Sequence, residues 1–361
     1  MRCCKDCFND IEIKGIIEKL NQIGTCELCG KENVFIYDTD INNELEAMFD
    51  DLLDIYTSND ELPDDYPQEN RIFLKDELCT RWSIFNLDRD LAYMAIIGIC
   101  HRRYEKNRGL FDAPIGILEL NQKEYLEEYS IMRTCEWEDF VEGIKKNNRF
   151  HTDCINKEKF FYLCNFIKKP YKAGKTFFRA RICSDKTGFH ANEMGAPPSD
   201  KATAGRANSA GISCLYLADT AITAINEIRA GIYDYVTVGE FILKKDIEVV
   251  DLTHVDLISP FWTLDNTFHA INKKNLQKIS VDIAKPMRRH DSLLDYLPTQ
   301  YISDLIKSRG FAGIEYQSTM NKNGYNLAIF DERLFGCSTV EVYDIREIEY
   351  KYDKISQTIE N

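Results

Sequence analysis

The chain has 361 residues, with 45 lysines and arginines against 59 aspartates and glutamates, a formal net charge of −14. That length suits two or three domains rather than one, and a 44% hydrophobic, 29% charged composition can build a sizeable core. The acidic balance argues against nucleic acid as the main partner, because binding a phosphate backbone uses a basic face.

In chain order, the first stretch is cysteine-rich: five of the thirteen cysteines fall before residue 30. Cys4-x-x-Cys7 and Cys26-x-x-Cys29 form two knuckles separated by eighteen residues, with Gly30 supplying a turn. Two thiolates two residues apart bite one cation, and two such pairs complete a tetrahedron. The spacing predicts a structural zinc ribbon or knuckle over residues 1–38, with no open position for catalysis. Cys3 is a spare that could replace Cys4 as ligand. The scattered cysteines, Cys79, Cys100, Cys164 and Cys214 among them, read as small buried hydrophobes of a reducing compartment. The N-terminus, Met-Arg-Cys-Cys-Lys-Asp-Cys, carries no apolar signal-peptide core. A cytoplasmic location is the expectation.

Residues 39–170 read as a helical domain. Leu45, Met48, Phe49, Leu52, Leu53 and Tyr56 recur at helical spacing after Asn42-Asn43, and the acidic stretch Ser58–Gln68 with its prolines ends that helix. A second helical stretch runs from Asp76 to Tyr104. Its apolar run, Leu91–Cys100, is far short of the roughly 20 residues that span a bilayer. Trp137, Phe140, Val141 and Ile144 mark a third helix, and Lys157–Phe166 a fourth. None of this resembles a catalytic constellation.

From Thr176 the texture becomes β-rich. Thr176–Ile182 alternates as a half-buried strand does, and Cys214–Ala218 is a short buried strand. Asp219-Thr220 caps a helix expected to end near Ala230, with Gly231 at its C′ position. Tyr235–Leu243 and Ile247–Leu252 are strands joined by Lys244-Lys245-Asp246. Pro298 opens a helix through Lys307, stopped by Gly310, and Phe311–Tyr316, Leu327–Phe330 and Val340–Tyr343 follow as strands. The fold class is α+β, with no G-x-G-x-x-G fingerprint and no P-loop.

The loop, strand and helix between residues 205 and 228 place an arginine, an aromatic and a carboxylate in sequence. Gly205-Arg206-Ala207-Asn208 precedes Leu215-Tyr216-Leu217-Ala218, and Ile225-Asn226-Glu227 follows. Such a set suits a pyrophosphate-linked nucleotide: a cation for phosphate, a ring for a base, an acid for a ribose or an oxocarbenium ion. Gln317-Ser318-Thr319 and Asn326-Leu327-Ala328-Ile329-Phe330 supply a further piece. Together they point to a nucleotide-cleaving site.

These motifs, with Phe178-Arg179-Ala180-Arg181, Thr299-Gln300-x-Ile302 and Gly310-x-x-Gly313-Ile314-x-Tyr316-x-Ser318, resemble the RES domain family over roughly Thr176 to Tyr343. The resemblance implies a mixed α/β fold like that of ADP-ribosylating toxins and an activity on NAD⁺. It gives the expected layout: a zinc knuckle at 1–38, a helical domain at 39–170, a RES catalytic domain at 171–346 and a tail at 347–361. Ala207 departs from the family, which usually has an aromatic after the motif arginine.

Under that resemblance each residue acquires a role. Glu227 would stabilise the oxocarbenium-like centre left when nicotinamide departs. Arg206 would grip the pyrophosphate in a bidentate fork, and Tyr216 would offer a ring face to nicotinamide or a hydroxyl to the ribose. Ser318 would hydrogen-bond the ribose or orient Glu227, and Asn326 would support that loop. Arg179 is a second candidate phosphate ligand, although an ion-paired structural role fits it better. His190, on the long loop before Arg206, is a weak candidate for closing over substrate. The expected activity is an NAD⁺ glycohydrolase or phosphorylase acting as a toxin or antiviral effector. A protein ADP-ribosyltransferase is the alternative, and a non-catalytic nucleotide-sensing or partner-binding module is the rival from another class. A separate antitoxin or a trigger protein is the expected partner, with no membrane involvement. The long N-terminal region offers inhibition in cis as another means of control.

Overall fold

Met1–Ile167 and His254–Val281 cluster into one unit of the chain, while Lys168–Thr253 and Asp282–Asn361 form the other. The computed structural model describes residues 1–253, 255–262, 265–286 and 292–349. The expected tail therefore lies, from residue 350 onward, outside the described residues. Residues 254–281, which fall inside the expected 171–346 span, cluster with the N-terminal unit. Among the described residues no helix is long and apolar enough to cross a membrane.

The N-terminal unit opens with β1 (Arg2–Cys4), α1 (Ile11–Leu20), β2 (Ile23–Gly24) and β3 (Val34–Asp38), the strands forming a sheet in the order β1-β3-β2. Asp10 caps α1 by accepting from the backbone N–H groups of Glu12 and Ile13, and the helix buries Ile13 and Ile17. The sequence reading had no helix here, because Gly15 interrupts a short amphipathic run. α2 (Glu44–Leu53) buries Leu45, Phe49, Leu52 and Leu53, as their spacing requires. Its Asn43 makes no side-chain cap.

The remainder of this unit is less purely helical than the sequence reading holds. β4 (Thr57–Ser58), β5 (Ile72–Phe73) and a later strand β6 (Pro114–Gly116) make a three-stranded sheet. The long helix expected over Asp76–Tyr104 is three: α3 (Leu74–Thr80), α4 (Arg89–Ile99) and α5 (His101–Lys106). The break has local causes. Ser83 takes a left-handed φ of 52°, Phe85 bridges to Phe8, and Asp88 caps a new start by accepting from Asp90 and Leu91. α6 (Gly109–Asp112), α7 (Lys123–Tyr129), α8 (Trp137–Lys146) and α9 (Lys157–Phe166) follow. Cys100 and Cys164 are buried as expected of small hydrophobes. Cys135 and Cys154 instead form a disulfide with Cα atoms 5.5 Å apart, which corrects the reading of every scattered cysteine as an independent thiol.

The second unit is built on one eight-stranded sheet. Its strands are β7 (Lys168–Tyr171), β8 (Thr176–Cys183), β9 (Leu215–Ala218), β10 (Tyr235–Leu243), β11 (Ile247–Asp251), β12 (Gly313–Gln317), β13 (Tyr325–Ile329) and β14 (Phe335–Asp344). Their order is β14-β10-β8-β9-β13-β12-β11-β7, antiparallel except for the pair β11–β12. β10 and β11, adjacent in sequence, do not pair with each other. α10 (Ala221–Glu227) and α12 (Leu297–Ser308) belong to this unit, whereas α11 (Asn266–Ala284) clusters, up to Val281, with the N-terminal one. The sequence reading missed α11, although Phe268, Ile271, Leu276, Ile279 and Ile283 recur at helical intervals.

Both sheet faces are apolar, for different reasons. Phe177, Leu215, Leu217, Phe241, Leu243, Val249, Leu327 and Ile329 form one cluster of large side chains. Ala180, Ala218, Ala224, Val236 and Val238 form the other, where alanines let α10 lie close to the strands. At the β7 edge, Glu315 is fully buried on β12 and accepts from Lys169 Nζ at 2.6 Å and from the Tyr171 hydroxyl. Burial raises the Glu315 carboxyl above its ordinary pKa, and the two donors offset part of that cost.

Lys169→Ala should therefore leave a buried carboxylate without its cation and cost about 3 kcal/mol in urea unfolding at neutral pH. The raised carboxyl pKa fixes the sign of the pH dependence. Folding disfavours the charged form, so the loss should shrink as pH falls and Glu315 binds a proton. An undiminished loss in acid would contradict this account.

Candidate functional site

The floor of the site is one row of residues crossing four neighbouring strands. Phe178 in β8 pairs with Ala218 in β9, Ala218 with Asn326 in β13, and Asn326 with Tyr316 in β12. Residues directly opposite in a sheet share a face, so all four lie on one side. β8 and β9 meet only at that Phe178–Ala218 pair. Where they part, a cavity of about 300 Å³ opens, lined among others by Arg179, Arg206, Tyr216, Glu227, Tyr296 and Tyr316.

Glu227 is the last residue of α10. Thr220 caps the helix start by accepting from the N–H of Thr223. The helix ends sooner than Ala230 because Arg229, at φ 50°, takes the left-handed conformation that the sequence reading gave to Gly231. Glu227 Oε1 accepts from Ser318 Oγ at 2.6 Å and from Asn326 Nδ2 at 2.8 Å. Both donors are buried. Ser318 Oγ is itself fixed, accepting the backbone N–H groups of Met320 and Asn321 at 3.2 and 3.1 Å. Asn321 Nδ2 then returns to α10 by donating to Thr223 Oγ1 at 2.9 Å. Among the described residues nothing donates to Glu227 Oε2.

The arginine loop is held as firmly. Gly205 N–H donates to the Asn208 carbonyl at 2.9 Å, closing a tight turn around Arg206. A Cβ on Gly205 would lie 2.5 Å from the Tyr216 hydroxyl, so only glycine fits there. Asn208 Nδ2 reaches the carbonyls of Thr203, Ser209 and Ile212, and its Oδ1 accepts from the Tyr216 hydroxyl at 2.7 Å. From α12, Gln300 Nε2 donates to the carbonyls of Gly205 and Asn208, and Thr299 Oγ1 to that of Arg206. The Arg206 guanidinium donates to the Ala284 carbonyl at 2.9 Å and lies 5.8 Å from the centre of the Tyr316 ring. It has no carboxylate partner among the described residues.

The fold thus brings Arg206, Tyr216, Glu227 and Asn326 to one cavity, with Ser318 behind the carboxylate. Tyr216 differs in detail from the sequence reading. Its hydroxyl also accepts the Ala207 N–H at 3.1 Å, so both its donor and an acceptor position serve the loop and only the ring is left for a ligand. Burial raises its pKa well above the ordinary phenol value. Ala207 is buried beside it and does not line the cavity. The ion pair expected for Arg179 is absent among the described residues. Arg179 Nη1 approaches the Tyr216 carbonyl at 3.5 Å, its Nε is buried without a partner, and burial lowers its pKa. His190 is exposed, caps a short 3₁₀ turn with Glu193, and stands outside the cavity lining. Sequence reasoning gave no role to Phe178, Tyr296, Thr299, Gln300 or Tyr316. Four of these lie in the quoted motifs, but only sheet pairing places Phe178 and Tyr316, and only the packing of α12 on the arginine loop places Thr299 and Gln300.

A second constellation lies in the N-terminal unit. The Cys4, Cys7, Cys26 and Cys29 sulfurs all lie within 4.8 Å of one another, with Cys4–Cys7 and Cys7–Cys26 at 3.6 Å and Cys4–Cys29 at 3.5 Å. A tetrahedron of thiolates with about 2.3 Å bonds to zinc has edges of about 3.8 Å. The sulfurs therefore fit a zinc knuckle. Cys3 turns its sulfur toward the Tyr37 carbonyl at 3.9 Å, so Cys4 and not Cys3 belongs to the cluster.

Comparison with known proteins gives a family match and a distant structural neighbour. The family model described as the RES domain matches residues 176–353. No curated protein matches the chain. Among solved structures, the crystal structure of the M. tuberculosis MbcT-MbcA toxin-antitoxin complex aligns with a TM-score of 0.32 at 14% identity, covering 52% of this chain and 92% of that one.

Asn208→Ala should cost about 2–3 kcal/mol in urea unfolding, because it removes a buried side chain that serves three backbone carbonyls and the Tyr216 hydroxyl at once. Limited proteolysis should then cut within residues 203–212. A variant as stable and as resistant as the parent would show that the loop is held by other means.

Proposed function

This chain carries a RES domain over residues 176–353, and from the site within that span we propose that it consumes NAD⁺ by cleaving the bond between nicotinamide and ribose. The carrying observation is a carboxylate, Glu227, fixed on one oxygen by Ser318 and Asn326 in the same cavity as Arg206, a cation with no carboxylate partner among the described residues. In the reaction the C1′–N bond breaks and its electron pair goes to the nicotinamide nitrogen, which leaves neutral. Positive charge develops on the ribose as an oxocarbenium-like centre. Glu227 Oε2, to which nothing donates among the described residues, accepts a hydrogen bond from a ribose hydroxyl and stabilises that charge. Arg206 holds the pyrophosphate. Water then adds at C1′ and releases a proton to solvent; phosphate as acceptor makes the enzyme a phosphorylase. The rigid hydrogen-bonded frame favours this reading over passive sensing, because preorganised charge serves a transition state.

Depletion of a shared cofactor arrests growth, so the role we assign is a toxin or antiviral effector. It would be silenced by an antitoxin or released by a trigger, and would work in the cytoplasm where NAD⁺ is abundant. This rests on the family and on the chemistry together. For the knuckle we assign one structural zinc held by Cys4, Cys7, Cys26 and Cys29, contributing stability and no chemistry.

Purified protein should release nicotinamide from NAD⁺. Glu227→Gln should lower kcat by about 100- to 1,000-fold, while Arg206→Ala should mainly raise KM, by roughly tenfold or more. Absence of nicotinamide release from metal-replete protein, free of inhibitors, would sink the proposal. Labelled ADP-ribose appearing on a second protein would redirect it to a transferase. For the knuckle, elemental analysis should find one zinc per chain, lost in Cys26→Ser together with a lower Tm. A metal-free parent of equal Tm would refute the assignment.

A further inference from the structure

The groups of the cavity follow a direction that the cleavage chemistry leaves unused. α10 packs against β8 and β9, so Glu227 enters from that side and is tied to Asn326 in β13. Arg206 lies over Tyr316 in the next strand, β12. α12 packs on β12, and Tyr296 sits immediately before its first residue. A bifurcated contact joins these last pieces: Thr299 Oγ1 lies 2.8 Å from the Arg206 carbonyl and 3.0 Å from the Tyr296 carbonyl. Neighbouring strands are about 4.8 Å apart. The carboxylate therefore lies on the β9–β13 side of the cavity, and the cation and the aromatic lie together on the β12 side.

The rings of the cavity are not equivalent. Tyr216 has its hydroxyl bound into the arginine loop. Tyr316 is 4% exposed and has Arg206 over its face. Phe178 lies at the opposite end of the row and packs with the alanines under α10. Tyr296 is only half-buried, lines the cavity, and makes no side-chain hydrogen bond among the described residues. It is the ring on the Arg206 side with a surface left to offer.

We propose that Tyr296 receives the adenine of the dinucleotide and so selects NAD⁺ over its mononucleotide half. This rests on the NAD⁺ reading above. In NAD⁺ the nicotinamide ribose, the pyrophosphate and the adenosine follow one another. With Glu227 at that ribose and Arg206 at the pyrophosphate, the adenosine extends over β12 toward Tyr296. A base stacked on an aromatic ring gains enough for about a tenfold difference in binding. Tyr296 is thus a specificity residue remote from the bond that breaks.

The test separates binding from turnover in the full-length protein. Affinity for ADP-ribose is measured by calorimetry, and kcat and KM are measured with NAD⁺ and with nicotinamide mononucleotide. Tyr296→Ala should weaken ADP-ribose binding about tenfold and lower the preference for NAD⁺ over the mononucleotide by a similar factor, while Tyr296→Phe keeps both. Unchanged ADP-ribose binding in Tyr296→Ala, or an equal loss with both substrates, would overturn the assignment. If the parent binds ADP-ribose and Tyr296→Ala does not, yet nicotinamide is never released, the cleavage proposal fails and the adenine site stands. A parent that releases nicotinamide but binds no ADP-ribose refutes the adenine site and leaves the cleavage proposal standing.

Discussion

The hydrogen bonds from Ser318 and Asn326 to one oxygen of Glu227 are the constraint on which the site depends. They bind the end of a seven-residue helix to β13 and to the residue that follows β12, on the far side of the β8–β9 parting. A helix that short has little stability of its own. Its position is set by the alanine-lined face beneath it and by these two bonds, with Asn321 closing the circuit back to Thr223. The left-handed Arg229 matters for the same reason. By ending α10 at Glu227, it leaves the carboxylate at the helix terminus and above the row of Ala218 and Asn326.

The arginine loop is built on a complementary rule. A loop that carries a cation to a ligand must keep its backbone polar groups satisfied without an element of secondary structure. Asn208 does this from inside the turn, and Gln300 and Thr299 do it from α12. Tyr216 links the loop to β9, which explains why its hydroxyl is unavailable to a ligand. At position 207, where an aromatic is usual, Ala207 is buried and gives its backbone N–H to that hydroxyl.

Much of this was legible in the sequence, and the residues show why the rest was not. Alternation along Thr176–Cys183 and the Thr220 cap give β8 and the start of α10, because both signals are local. The knuckle is readable from spacing alone, for metal ligation imposes geometry on neighbours. Glu227, Arg206, Ser318 and Asn326 could be named from motif order. Tyr316 and Phe178 could not be placed with them, since sheet pairing brings together residues that no local period relates. Gly231 misled because glycine only permits a left-handed turn, and here Arg229 makes it. The separation of β10 from β11 was hidden for the same reason: a three-residue link invites a hairpin, whereas β10 pairs with β8 and β14 instead.

What remains is why the two charges of the site are not paired with one another. An Arg206–Glu227 ion pair would neutralise both, and a ligand would then have to break it before using either. The fold avoids this by giving each charge neutral partners. Glu227 is held by a hydroxyl and an amide, which orient it and leave its charge intact. Arg206 is held by a backbone carbonyl and an aromatic face, which do the same for the cation. Arg179, buried with its Nε unpartnered, extends the pattern. Charges kept apart and rigidly aimed cost stability, and under the proposed function that cost is recovered when the substrate is bound.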